Sequence, residues 1–186
     1  RSNFSHNYIF SFFYYFNCQQ IVIKPRVSAN VDNTFWLKKE SFETVLSQLE
    51  VIFSQAEFMV QPFMNSVIEE GEFSLFYFDG EYSHAILKTP KSDDFRVQEE
   101  HGGQLQSIAP EKSLLAQAQY TLTAITKLTG EIPLYARIDF VRDNNSKVGF
   151  ALMEAELIEP SLYFNMDKNS ADSFAGAFVK RMRETS

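Results

Sequence analysis

Cysteine is almost absent: Cys18 is the one thiol among 186 residues. That excludes an internal disulfide and any cysteine-built zinc cluster, and it fits a reducing cytoplasm, the expected location. Cations are in deficit, with 17 Lys and Arg against 24 Asp and Glu, a net charge of −7 and a pI near 5.0. Coating a nucleic acid needs a surplus of Lys and Arg to neutralise phosphates, so no nucleic-acid partner is expected. Long hydrophobic runs are missing as well. The most apolar stretch, Tyr8-Ile9-Phe10-Ser11-Phe12-Phe13-Tyr14-Tyr15-Phe16, falls far short of the ~20 residues of a membrane helix. Only Arg1 flanks it with charge, and no small-residue cleavage site follows, so neither a membrane partner nor a signal peptide is expected. The stretch reads instead as a buried strand or a hydrophobic start. Glycine is scarce at seven, and none falls within 26–35.

What is present is core-forming material, 45% hydrophobic with 19 Phe. At about 100–200 residues per domain, the length suits one domain or one tightly packed pair of lobes. Strand-like runs at 20–24, 57–63, 72–79 and 81–89 are rich in aromatic and β-branched residues. Asp79-Gly80 predicts a two-residue hairpin, because both central positions of a type I′ turn need positive φ. Residues 41–55 read as a helix with Phe42, Val45, Leu46, Leu49, Ile52 and Phe53 on one side. Residues 91–110 are polar, hold Gly102-Gly103, and read as a long functional loop. Pro110 then opens a helix with a stripe of Leu114, Ala118, Leu122 and Ile125, stopped by Gly130. Two more strands are predicted at 134–142 and 148–157, and Ser170 caps a last helix whose apolar face carries Phe174, Phe178 and Met182. Strands, hairpins and helices in this mixture make the chain α+β.

The most informative residues are carboxylates. In a strand, residues two apart share a face, so Arg137 points with Asp139 and Glu154 with Glu156. A turn centred on Ser146-Lys147 sets Asp139 opposite Glu154 and Arg137 opposite Glu156. Opposed like charges are destabilising, and a bound cation would relieve them; hard oxygen ligands suggest Mg²⁺ held with substrate phosphates. The alternative is a solvated face with unrelated acidic residues, and a turn at Asn144-Asn145 would instead set Phe150 opposite Asp139. Lys24 closes the apolar strand Ile21-Val22-Ile23-Lys24-Pro25, where it either meets an anion or snorkels to the surface. Arg96 is a further basic candidate, with simple solvation as its alternative.

Taken in order, these pieces resemble the ATP-grasp superfamily. The nucleotide-binding half is matched by Ile21-Val22-Ile23-Lys24-Pro25, Met59-Val60-Gln61-Pro62-Phe63-Met64 and Gly71-Glu72-Phe73-Ser74-Leu75. The metal half is matched by Arg137-Ile138-Asp139 and Glu154-Ala155-Glu156 followed by Pro160, similar to the family's Glu-x-Asn-x-x-x-Pro with Glu in place of Asn. Leu87-Lys88-Thr89-Pro90, Asp94-Phe95-Arg96-Val97-Gln98 and Gly102-Gly103 resemble the prokaryotic glutathione-synthetase-like ligases. A close subgroup, similar to the ligase of cycloserine biosynthesis, shares the Glu-x-Glu-x-x-Glu-Pro-Ser run of residues 154–161.

The resemblance implies an ATP-grasp fold over 20–183, two α+β lobes with antiparallel sheets clasping a nucleotide. A small nucleotide-binding lobe would span 20–64 and a larger metal- and phosphate-binding lobe 65–183, with 1–19 an aromatic segment of unassigned role. Lys24 would contact the nucleotide phosphates, with Ser28 in the loop that follows. Gln61 and the backbone around Met64 would line the adenine, and Glu72 would accept from the ribose hydroxyls. Asp139, Glu154 and Glu156 would hold Mg²⁺, with Mn²⁺ as the alternative, while Lys88, Arg96 and Arg137 would surround the transferring phosphoryl group. Gln98, Gly102-Gly103 and the segment around Ser161 would meet the substrates. The implied activity is ATP- and Mg²⁺-dependent ligation of a small-molecule carboxylate to an amine through an acyl phosphate, by this chain or by a ligase of which it is the ATP-binding portion. No catalytic role is assigned to His6, His84, His101 or Cys18. Three departures limit the match, and the first and last of them favour an alternative, a nucleotide-binding or regulatory module without catalysis. The loop 26–35 has no glycine, no Lys precedes Lys24, and little of the family's N-terminal substrate domain is present. A homo-oligomer is left open, with 160–166 as a candidate surface.

Overall fold

The computed structural model describes residues 5–26, 33–91, 96–97 and 102–184, and the chain divides into two units, Arg1–Met64 and Asn65–Ser186. Ser28, Gln98 and His101 lie outside the described residues.

The first unit opens with α1 (His6–Tyr15), a helix where the sequence suggested a strand or a loose hydrophobic start. In an unbroken apolar run the helical and strand periods cannot be told apart, and tertiary packing decides. Here Ile9 and Phe13, four apart, are buried together, and the Ser5 hydroxyl accepts from the Tyr8 N–H. Asn17 takes φ +48° and the Cys18 N–H returns to the Phe13 carbonyl at 3.1 Å, which closes the helix. The three strands β1 (Gln20–Pro25), β2 (Phe35–Lys38) and β3 (Phe58–Pro62) form an antiparallel sheet in the order β2-β1-β3. The predicted helix at 41–55 is a 3-10 turn, Phe42–Val45, leading into α2 (Leu46–Phe53). Ile21, Ile23 and Leu37 meet Ile9, Phe13, Phe42, Leu49 and Phe53 on one sheet face. The aromatic segment is therefore part of this unit's core.

The second unit adds the short α3 (Ser66–Glu69) and then β4 (Glu72–Phe78), β5 (Glu81–Thr89), β6 (Gln104–Ser107), β7 (Tyr135–Arg142) and β8 (Phe150–Glu156). They form one antiparallel sheet in the order β6-β5-β4-β7-β8. The Asp79-Gly80 hairpin turn is present, at φ +48° and +86°. Strand β6 lies within the expected long loop; its Gln-Leu-Gln-Ser sequence is polar enough to hide a short edge strand. Helix α4 (Lys112–Thr129) starts two residues after Pro110 and ends at Gly130, φ +84°. Its predicted stripe of Leu114, Ala118, Leu122 and Ile125 packs on Phe73, Leu75, Tyr77, Ala136, Ile138 and Phe140. In α5 (Ser170–Glu184), Phe174 packs on Phe78, Phe164 and Tyr135, but Phe178 and Met182 are exposed rather than core. Ser170 is the first helical residue; its hydroxyl donates to the Asp167 carbonyl at 2.7 Å instead of capping. Among the described residues, no helix is long and apolar enough to cross a membrane.

Candidate active site

Each strand of the second unit's sheet sends alternate residues to opposite faces. On β4, Phe73, Leu75 and Tyr77 face α4, which leaves Glu72, Ser74 and Phe76 on the other side. Strand register gathers the charged residues there. Glu72 pairs with Lys88, Ser74 with Asp139, Asp139 with Glu154, and Arg137 with Glu156. The close pairing of Glu72 and Lys88 depends on Gly71, which sits at φ +113°. A Cβ there would stand 2.5 Å from the Lys88 carbonyl oxygen.

The Asp139–Glu154 pairing is the one expected from a turn at Ser146-Lys147, but the route to it differs. Nearer the turn, Phe140 pairs with Leu152 and Arg142 with Phe150, one residue out of that register. Met153 is the extra residue of a bulge, and the bulge restores the alignment at the site. Without it, Asp139 would face Met153, and both glutamates would turn to the α4 side.

The resulting cluster is densely bonded. Lys88 Nζ donates to Glu72 Oε1 at 2.8 Å and to Asp139 Oδ2 at 3.3 Å. Arg137 Nε donates to Asp139 Oδ2 at 3.0 Å and Oδ1 at 3.2 Å; its terminal nitrogen bonds Glu156 and lies 3.7 Å from Glu154 Oε2. Burial alone would lower the Lys88 pKa, but the charges of Glu72 and Asp139 overcome it and hold the ammonium protonated. Burial likewise works against the Arg137 charge, and Asp139 and Glu156 outweigh it. The Glu72 carboxyl moves the other way, raised by burial against the pull of Lys88.

One oxygen from each of Asp139, Glu154 and Glu156 lies within 4.8 Å of the others. The three are graded in access, with side chains 1%, 55% and 28% exposed. Together with Glu72 they set four carboxylates against two cations, a surplus of two negative charges. An all-oxygen donor set with that surplus, open to solvent at one end, fits Mg²⁺. Arg137, which now bridges all three carboxylates, is the cation such an ion would compete with.

In the first unit, Lys24 and Gln61 share the face turned away from α1 and α2, because Val22 pairs directly with Gln61 and Lys24 follows two residues on. Lys24 is half-buried and forms no ion pair with a described residue. Trp36, opposite Val22, stacks on Phe63 with ring centroids 4.3 Å apart, and Met64 follows directly. A cavity of about 1010 Å³ lies on the other side of this sheet, against α1, lined by Tyr8, Phe12, Tyr15, Phe58 and Val60. Ser11, Arg26 and Glu57 also line it, and it contains none of these candidate residues. Arg96 is half-buried beside buried Val97, on the connection between β5 and β6. His84 has a packing role: it stacks on Phe76 at 4.2 Å, and its Nε2 donates to the Leu162 carbonyl at 3.1 Å. Ser74, within the motif Gly71-Glu72-Phe73-Ser74-Leu75, also lies on this face. Its position two residues after Glu72 on an alternating strand was the signal that places it on this face.

Comparison with known proteins gives these features a context. The chain is 31% identical over 136 residues, 67% of its length, to the cycloserine biosynthesis protein DcsG of Streptomyces lavendulae. It spans 42% of that relative. The crystal structure of D-cycloserine synthetase DcsG superposes with a TM-score of 0.79 over 92% of this chain and 59% of that one, at 24% identity. A D-alanine–D-alanine ligase from Bacillus anthracis complexed with ATP gives a TM-score of 0.61 at 18% identity, over 100% of this chain and 58% of that one. No family model matches.

Proposed function

We propose that this chain, which has the fold of the ATP-grasp ligases, belongs to the ATP-grasp superfamily and acts as an ATP- and Mg²⁺-dependent carboxylate–amine ligase, or as the ATP-binding portion of one. The observation that carries the reading is the gathering of Asp139, Glu154 and Glu156 on one sheet face with Lys88 and Arg137. The chain spans 42% of DcsG, so the reading concerns what its own side chains contribute.

Asp139, Glu154 and Glu156 would hold Mg²⁺, which when bound would neutralise the phosphate charge that develops during transfer. Lys88 and Arg137 would meet anionic oxygens, Arg137 with a planar donor fork that suits phosphate or carboxylate. Neither needs to change protonation to do so, since neighbouring carboxylates keep both charged. Lys24 would meet the nucleotide phosphates and Gln61 and Met64 the adenine, with Ser28 and Arg96 assisting at the phosphates. Glu72 offers the ribose an oxygen that Lys88 does not use. The substrate carboxylate would attack the γ-phosphorus to give an acyl phosphate and ADP; the amine would then displace phosphate and form the C–N bond. Positioning and electrostatics supply the catalysis, so no protein nucleophile is required.

The glycine-free loop 26–35 favours a second reading, a module that binds nucleotide without turnover. One experiment separates them: Mg²⁺-dependent ADP release against panels of carboxylates and amines, with Glu154→Gln alongside. The ligase reading expects release that Glu154→Gln abolishes while the fold stays cooperative. Near-normal turnover in that variant removes Glu154 from the metal site, and nucleotide binding with no release for any pair favours the module.

A further inference from the structure

One polar group on the charged face is used by none of its neighbours. Ser74 lies between Glu72 and Phe76 on β4, paired with Asp139 on one side and Ile86 on the other. It is 0% exposed, and its hydroxyl has no hydrogen-bond partner among the described residues. Directly opposed residues of an antiparallel ladder leave the same face with Cβ atoms about 4.5–5.5 Å apart. A χ1 rotation therefore aims the Ser74 hydroxyl at the Asp139 carboxylate.

A buried hydroxyl without a partner is destabilising, and nearly all such groups in folded proteins are satisfied. Alanine at this position would avoid the penalty, so the hydroxyl's use lies in a state with different bonding around Asp139. Asp139 accepts from Lys88 at Oδ2 and from Arg137 Nε at both oxygens, so Arg137 is the one donor at Oδ1 among the described residues. A cation on Asp139, Glu154 and Glu156 competes with Arg137 for these same oxygens. Once Arg137 yields, Asp139 keeps only the long 3.3 Å contact from Lys88 Nζ, and ligating carboxylates are characteristically held by a closer outer contact.

We propose that Ser74 is a positioning residue for the cation-loaded site, its hydroxyl donating to Asp139 and fixing that carboxylate's orientation toward a divalent ion. The inference rests on the metal reading above and adds a residue to it. Arg137 holds Asp139 while the site is without its ion, and Ser74 holds it when the ion is present.

The test uses Mn²⁺ as the probe, titrated into the chain with millimolar ADP and read as free ion by electron paramagnetic resonance. Thermal midpoints in EDTA are measured beside it, for wild type, Ser74→Ala and Glu154→Gln. Ser74→Ala is expected to weaken Mn²⁺ about 10–100-fold, while its midpoint in EDTA is equal to wild type or higher. Unchanged Mn²⁺ affinity in Ser74→Ala, with Glu154→Gln impaired, overturns this inference and leaves the metal reading standing. A midpoint in EDTA that falls with the affinity makes the hydroxyl structural and also overturns it. Absence of Mn²⁺ binding by wild type overturns both.

Discussion

The two faces of the second unit's sheet are written by the same strands and do opposite work. On the α4 side, Phe73, Leu75, Tyr77, Ile138 and Phe140 form a dry core. On the other side, the intervening positions bring together Glu72, Ser74, Lys88, Arg137 and Asp139, all buried or nearly so. Apolar burial contributes stability roughly in proportion to area. Buried ion pairs contribute little, because desolvation offsets their attraction. One face therefore holds the sheet together, and the other holds charges that stability alone would not select.

Substitutions can break that contrast. Phe140→Ala, on the core face, is expected to lower unfolding free energy in urea by about 3–5 kcal/mol. Lys88→Met should cost a comparable amount, since it leaves Glu72 buried without its cation. Adding Glu72→Met to Lys88→Met should return stability to near wild type or above, whereas no second substitution of that kind repairs Phe140→Ala. A double variant as unstable as Lys88→Met would mean that the charged face is structural too.

A smaller effect sharpens the comparison at the sheet's end, where charge does stabilise. Asp79, in the hairpin turn, accepts from Lys180 and from Arg181 Nε at 2.7 Å, and these contacts hold its carboxyl below the ordinary 3.8. A carboxylate lowered on folding contributes stability that is complete above its unfolded pKa and lost as pH falls through the folded one. Asn keeps the turn's positive φ, so Asp79→Asn isolates the charge. The variant should be less stable than wild type at pH 7, with the gap closing as pH drops below 3.8. A pH-independent gap would assign the effect to packing.

Much of this arrangement is legible from residue order because parity is local. Asp79-Gly80 announces its turn through the φ it demands, and alternation announces that Arg137 shares a face with Asp139 and Glu154 with Glu156. What is hidden is hidden for physical reasons. Residues 8–16 are nearly all apolar, so they carry no period, and only the packing of Ile9 and Phe13 makes them helical. Strands β2 and β6 are too short to show a pattern. The bulge at Met153 has no marker in Ala151-Leu152-Met153, yet it decides which face receives both glutamates. Parity places Arg137 beside Asp139 and opposite Glu156, but its reach to Glu154 as well, at 3.7 Å, shows only in the structure.

The central claim is that the carboxylate face holds a metal-bound nucleotide. The thermal midpoint of this chain with and without millimolar Mg-ADP, beside Glu154→Ala, tests it most directly. A ligand at a hundred times its dissociation constant adds about 2.7 kcal/mol. The expected result is an upward shift that requires both Mg²⁺ and Glu154. A cooperative transition that does not move, or one that moves equally in Glu154→Ala, would contradict it.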